Sequence, residues 1–230
     1  MKTGRNLRFP LARAVLLAGF GLAIGGCVAA SGPAPVEADL VAPGSPEARA
    51  ELALRLASEA RRSHDARAML VAARMMLTSG TRPAVLEDGA MVANLESDPV
   101  AHGWAREAIA LAGNNAALVG EAEQVLAMRP RGVLRSSLGG GPLRYVRRVS
   151  ANESVRFNIS TQPRVPARLA AIGDGDARIG LMVSAGNARI CDQRARSTHS
   201  LCTWQAARER HDVTLINAGP LASDVMILSN

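Results

Sequence analysis

The chain has 230 residues, of which 48% are hydrophobic, 20% charged and 3% aromatic. That balance excludes a disordered or fibrous chain and supplies a core of Ala, Leu, Val, Ile and Met for one large or two small domains. The formal net charge is +7, laid out as a basic leader, a net −4 over residues 27–130 and a net +7 over residues 131–230. No RNP-type aromatics, zinc finger or recognition-helix signature accompanies the arginines, so the charge does not indicate a nucleic-acid partner.

The first element is an address. Lys2, Arg5, Arg8 and Arg13 precede an uncharged run from Ala14 to Gly26. That run is too short to span a bilayer, which takes about 20 residues, and has the length of a signal-peptide h-region. It ends in Ile24-Gly25-Gly26-Cys27, which resembles the bacterial lipobox. The resemblance implies cleavage before Cys27 and acylation of its thiol, with a membrane as partner through the lipid. Val28 stands where an Asp retains enteric lipoproteins in the inner membrane, so the outer membrane is favoured. Residues 1–26 then read as a lipoprotein signal peptide. Residues 27–44 are small and Pro-rich and read as a flexible tether.

Residues 45–130 read as a small helical domain. Ser45-Pro46-Glu47 and Asp98-Pro99 are helix starts, a capping side chain followed by Pro at the first helical position. The first helix presents Ala48, Leu52, Leu56 and Ala60 as its apolar stripe. A second, from about Asp65 to Ser79, presents Met69, Ala73, Met76 and Leu77. A third presents Val100, Trp104, Ala108 and Leu111. A fourth, from about Asn115 to Met128, presents Leu118, Ala122 and Val125. Residues 81–97 are ambiguous, with room for one more short helix. Two such helix pairs are compatible with tetratricopeptide-like (TPR) hairpins, although no TPR consensus is present. A small bundle, or a Met-rich groove for a peptide, is the expectation.

Near Pro130 the texture changes. Residues 131–141 read as a linker, ending in the breaker cluster Gly139-Gly140-Gly141. Short alternating segments follow at Leu143–Val149, Ser154–Ile159, Ala167–Ile172, Arg178–Val183, Asp212–Asn217 and Val225–Leu228. Turn-rich stretches separate them, as expected of an antiparallel sandwich or barrel over residues 142–230. The expected core is Phe157, Ile159, Leu169, Ile179, Leu181, Val183, Trp204, Val213 and Leu215. Cys191 and Cys202 are the two cysteines left once Cys27 is acylated. In an oxidising compartment they are expected to form a disulfide.

The text Ile172-Gly173-Asp174-Gly175-Asp176, Ile179 to Val183, Gly186-Asn187, Cys202-Thr203-Trp204 and Val213 to Asn217 resembles the bacterial pre-peptidase C-terminal (PPC) domain family. The resemblance covers under half of the chain. It implies a jelly-roll-like β-sandwich that is not itself catalytic, in a family some of whose members bind calcium or extracellular polymers. The chain departs from the pattern at Arg178 and Gly180, where the family alternates acidic residues. Calcium takes six to eight oxygens, and Asp174 and Asp176 alone in a Gly-rich segment read as turn chemistry.

The catalytic motifs are missing. His64, His102, His199 and His211 fall in no HExxH or HxH spacing and read as surface residues; no GxSxG elbow and no phosphate loop occurs. Glu121 and Glu123 point apart on a helix. No metal or cofactor is expected. Arg144, Arg147 and Arg148 are candidates for contact with an anionic glycan or lipid head groups. The fold class expected is α+β, a helical bundle followed by an antiparallel sandwich. The function expected is a non-enzymatic, lipid-anchored envelope protein that binds or scaffolds a protein partner. The alternatives are a hydrolase of cell-wall or extracellular polymer with its site between the two halves, and a purely structural assembly component.

Overall fold

A computed structural model of the chain describes residues 44–94, 96–130 and 142–230, all within one compact unit, Glu37–Asn230. The leader, Cys27, the tether up to residue 43 and the 131–141 linker lie outside the described residues. Four helices form as expected: α1 (Pro46–Ser63), α2 (Ala66–Leu77), α3 (Pro99–Ala112) and α4 (Ala116–Ala127). Each starts on a side-chain cap. Ser45, Asp65, Asp98 and Asn115 accept hydrogen bonds from first-turn amides at 2.9–3.1 Å, satisfying donors that have no partner inside the helix.

The buried faces of α2 and α4 include all the residues expected there. That of α1 differs. Ala50, Ala53, Leu54, Ala57 and Ala60 are buried, whereas Leu52 is 57% exposed. A strict four-residue repeat drifts around a helix of 3.6 residues per turn. The stripe from Ala48 to Ala60 therefore leaves the contact face, and the closer alanine spacing holds it.

Residues 81–97 hold a β-hairpin rather than a helix, β1 (Arg82–Glu87) and β2 (Ala90–Ala93). Its two-residue turn is Asp88-Gly89, both at positive φ, the conformation that a tight hairpin requires and that Gly, Asn and Asp supply. Eight more strands follow: β3 (Leu143–Val149), β4 (Ser154–Ser160), β5 (Pro166–Gly173), β6 (Ile179–Ala185), β7 (Ala188–Ser197), β8 (His199–Gln205), β9 (Arg210–Asn217) and β10 (Ser223–Ser229). They make one ten-stranded sheet in the order β7-β6-β9-β4-β2-β1-β3-β10-β5-β8. The sheet is mixed, which corrects the antiparallel expectation. β1 runs parallel to β3, pairing Arg82 with Leu143, and β2 runs parallel to β4 at Ala90 and Asn158. The hairpin β1–β2 thus bridges two antiparallel halves, and residues from the helical stretch of the chain complete the sheet.

The sheet folds over on itself, nearly into a barrel. The inner faces of its halves meet in one core of Val155, Phe157 and Ile159, Leu181 and Val183, Val213 and Leu215, Leu169, Val225 and Ile227. All nine residues expected in the strand core are buried. The helices form a further layer on the outside of one half, where Ala170 and Ile172 of β5 and Met226 and Leu228 of β10 join the helical core. Alternating side chains of one strand therefore feed two cores, and every residue of β10 is buried. At the ends of the strand order lie β7 and β8. A disulfide between Cys191 and Cys202, with Cα atoms 5.9 Å apart, ties them together.

Candidate functional site

The seam between helices and sheet is where a site shared by the two halves would lie, and three carboxylates converge on it. Arg61 of α1 holds two of them, Glu107 and Asp224. Its Nε donates to both oxygens of Glu107 on α3, at 2.8 and 3.0 Å, and its Nη2 donates to the same group at 2.9 Å. Its Nη1 donates to Asp224 of β10, which also pairs with Arg148 at 3.4 Å. Burial works against the Arg61 cation, but the hydrogen bond and charge of Glu107 and the charge of Asp224 more than offset it, so its pKa lies above the ordinary arginine value.

Asp174, the first aspartate of the Gly-Asp-Gly-Asp segment, closes the other side of the seam. It accepts from the Ser223 hydroxyl at 2.6 Å, the Asp224 amide at 3.2 Å and the Ser58 hydroxyl at 3.3 Å. Asp176 accepts from Arg62 at 3.1 Å. The segment thus fastens the β5–β6 connection to both α1 and β10. A carboxylate that accepts three protein hydrogen bonds has its lone pairs directed at fixed donors, and among the described residues no group of three or more His, Cys, Asp or Glu is placed to hold a metal ion.

The three arginines expected to meet an anionic surface separate. Arg144 is 1% exposed. Its guanidinium is paired with Asp98 and donates to the Thr81 hydroxyl at 2.8 Å. β3 is an interior strand of the sheet, and its register turns Arg144 towards the start of α3, where Asp98 is both helix cap and counter-ion. It is therefore removed from any surface role. Arg147 pairs with Glu153 at 3.7 Å, and Arg148 with Asp224.

The histidines also depart from a uniform surface reading. His211 is buried in β9. Its Nε2 accepts from Trp204 Nε1 at 3.3 Å, which leaves Nδ1 as the protonated nitrogen, facing the Thr161 hydroxyl at 3.2 Å. That hydroxyl donates in turn to the Arg208 carbonyl at 3.0 Å. Burial pushes the His211 pKa down; the Asp212 charge opposes this and Arg208 adds to it. His102 Nε2 lies 3.0 Å from the Met128 carbonyl, and His64 caps α1 at positive φ.

Sequence reasoning missed β7 and β8. β8 does alternate, burying Ser200, Cys202 and Trp204, but two of those three are small polar or sulfur residues and mask the period. β7 has no period to find: it is the only strand among the described residues without a buried side chain. It carries Arg189, Arg194 and Arg196, and its one carboxylate, Asp192, is held by Arg189 at 2.8 Å. Arg194 and Arg196 make no ion pair among the described residues. A Cβ added at Gly186, in the turn before β7, would lie 3.5 Å from Arg208 Nη1, so that arginine lies against the same end of the strand.

No protein-family model matches the chain, and no curated protein matches it in sequence. Solved structures do resemble part of it. The pre-peptidase C-terminal domain of a collagenase from Bacillus anthracis aligns over 38% of this chain and 87% of its own, at 3% identity and a TM-score of 0.34. PliG of Aeromonas hydrophila, a periplasmic inhibitor of g-type lysozyme, aligns over 42% of this chain and 90% of its own, at 7% identity and a TM-score of 0.31. The Yersinia pseudotuberculosis-derived mitogen aligns over 39% and 85%, at 10% identity and a TM-score of 0.30. These are all likenesses of limited extent, and the sandwich here stands on its own strand pairings.

Proposed function

We propose that the chain is a non-enzymatic, lipid-anchored protein of the bacterial envelope, a binding or scaffolding module held at the outer membrane by Cys27. The observation that carries the reading is the sequence Ile24-Gly25-Gly26-Cys27 behind a basic leader and a short uncharged run. Several acyl chains on that thiol, each buried CH₂ contributing about 0.8 kcal/mol, make a firm anchor. The Cys191–Cys202 disulfide supports it, because such bonds persist in an oxidising compartment. The jelly-roll-like, PPC-related description of the sandwich belongs to the same reading. A scaffold suits a seam whose polar groups are spent on joining helices to sheet.

The polymer-hydrolase reading has one observation in its favour, the convergence of Glu107, Asp174 and Asp224 between helices and sheet. Arg61 and the donors around Asp174 turn that convergence towards structure. An acid–base pair needs at least one carboxylate free to take or give a proton in reach of a substrate.

The test is expression of the full chain and its Cys27→Ser variant in a bacterial host fed a labelled fatty acid. The expected result is label and membrane partition for the parent and loss of both for the variant. Equal partition of the two, with no label on either, overturns the anchor. Asp224→Asn then addresses the hydrolase: loss of a wall- or polymer-cleaving activity from a folded variant would favour it.

A further inference from the structure

We infer that β7 is a docking strand for an anionic lipid bilayer, and that Arg194 and Arg196 are its principal contacts. A strand normally holds its place by burying one face. β7 buries no side chain over its ten residues. What holds it is its pairing with β6 on one edge and the Cys191–Cys202 bond to β8. The fold therefore keeps in a fixed position a strand whose one core contact is the half-buried Cys191, and what that strand displays is positive charge. From Arg178 to Arg210 the chain has six arginines against Asp192 and Glu209. Asp192 is neutralised within the strand by Arg189, leaving Arg194 and Arg196, two residues apart and both exposed, with Arg208 beside the turn.

The chemistry of the display favours phosphate over sugar. Arginine presents a planar fork that matches phosphate oxygens. Recognition of sugar rings commonly adds an exposed aromatic face, and Trp104, Trp204 and Phe157 are all buried here. Ile190, 36% exposed on the same strand, gives the strip the mixed basic and apolar character of a peripheral membrane contact. Each arginine at an anionic surface contributes weakly, so the contact is one that orients a protein already near a membrane. It goes beyond the anchored-module reading and is independent of Cys27.

The experiment uses the compact unit Glu37–Asn230, which contains both cores and the disulfide but not Cys27. Its binding to phosphatidylcholine vesicles with and without phosphatidylglycerol is measured at low and high salt. The expected result is binding only to the anionic vesicles, lost as salt rises. R194A/R196A is expected to weaken it roughly 30-fold, from the typical contribution of two arginines near an anionic surface. R49A/R67A makes the same charge change on the helices and is expected to leave it intact. An unchanged disulfide mass and near-UV circular dichroism show that the variants are folded. No binding to anionic vesicles, an equal loss in both double variants, or binding to soluble polygalacturonate in place of vesicles each overturns the inference. The labelling of Cys27 is read separately, so failure here and failure of the anchor are distinguishable.

Discussion

β10 and β7 are held by opposite means. β10 sits inside the sheet and is buried on both faces, Val225 and Ile227 in the core between the sheet halves, Met226 and Leu228 in the core under the helices. β7 sits at one end of the strand order, has no fully buried side chain and is fastened by a disulfide. Burial stabilises a strand in proportion to the apolar area removed from water, and leaves its side chains no freedom to vary. A covalent tie acts on the chain and not on the side chains, so a strand held that way can carry whatever residues its surroundings favour.

The largest effects should fall on the buried side. Asp98→Ala strips the fully buried Arg144 of its counter-ion and is expected to cost about 3–5 kcal/mol of unfolding free energy, read from urea denaturation. Ile227→Ala, which empties part of the inter-sheet core, is expected to cost about 2–5 kcal/mol. An effect on either close to zero would show that β10 and its neighbours are not the wall between two cores.

Removing the disulfide should come next. In C191S/C202S the short loop regains freedom in the unfolded chain, a loss of about 3 kcal/mol by loop entropy. The sharper readout is local. Hydrogen exchange should speed up in β7 and leave β10 protected, whereas a uniform change would mean that the two strands open together.

A smaller effect is expected from acid. The His211 pKa is lowered in the folded protein, so the unfolded chain binds a proton at higher pH than the folded one. Its contribution is complete above the ordinary histidine value near 6.5 and is lost as pH falls through the lower, folded value, at no more than about 1.4 kcal/mol per pH unit. His211→Asn should flatten that part of the stability–pH curve, with Trp204 fluorescence as local reporter. The smallest effect belongs to β7 itself: Ile190→Ala should stay within about 0.5 kcal/mol, as at surface positions generally.

The same contrast explains what could be read in advance. Where side chains are buried at a regular period, the sequence carries the signal: α2, α4 and the six expected strands follow from it. The apolar alternation marks β10 over Val225–Leu228, and the strand extends to Ser223–Ser229, because its outer serines are buried by hydrogen bonding and not by apolar contact. β7 left no signal because nothing in it is buried. The hairpin β1–β2 did leave one, the Asp88-Gly89 pair between two apolar runs, but the ambiguous period around it obscured the turn. Arg144 is legible in the sequence as charge and not as a buried ion pair, because its partner Asp98 lies 46 residues earlier and is legible there as a helix cap. Asp174 read as turn chemistry and does serve structure, with one addition: Ser58 of α1 shares it.

The placement of β10 also bears on how the molecule is assembled in time. It is the last of the ten strands to be synthesised, yet it lies between β3 and β5 and forms one wall of both cores. The helices can pair with one another earlier, and β5 can offer them Ala170 and Ile172, but their sheet-facing apolar surface lacks Met226 and Leu228 until residues 223–229 arrive. A chain fed out from its N-terminus therefore remains incompletely folded through most of its emergence and completes two cores in one late step. For the exported protein proposed above, which would be threaded through a membrane before folding, that delay is of service.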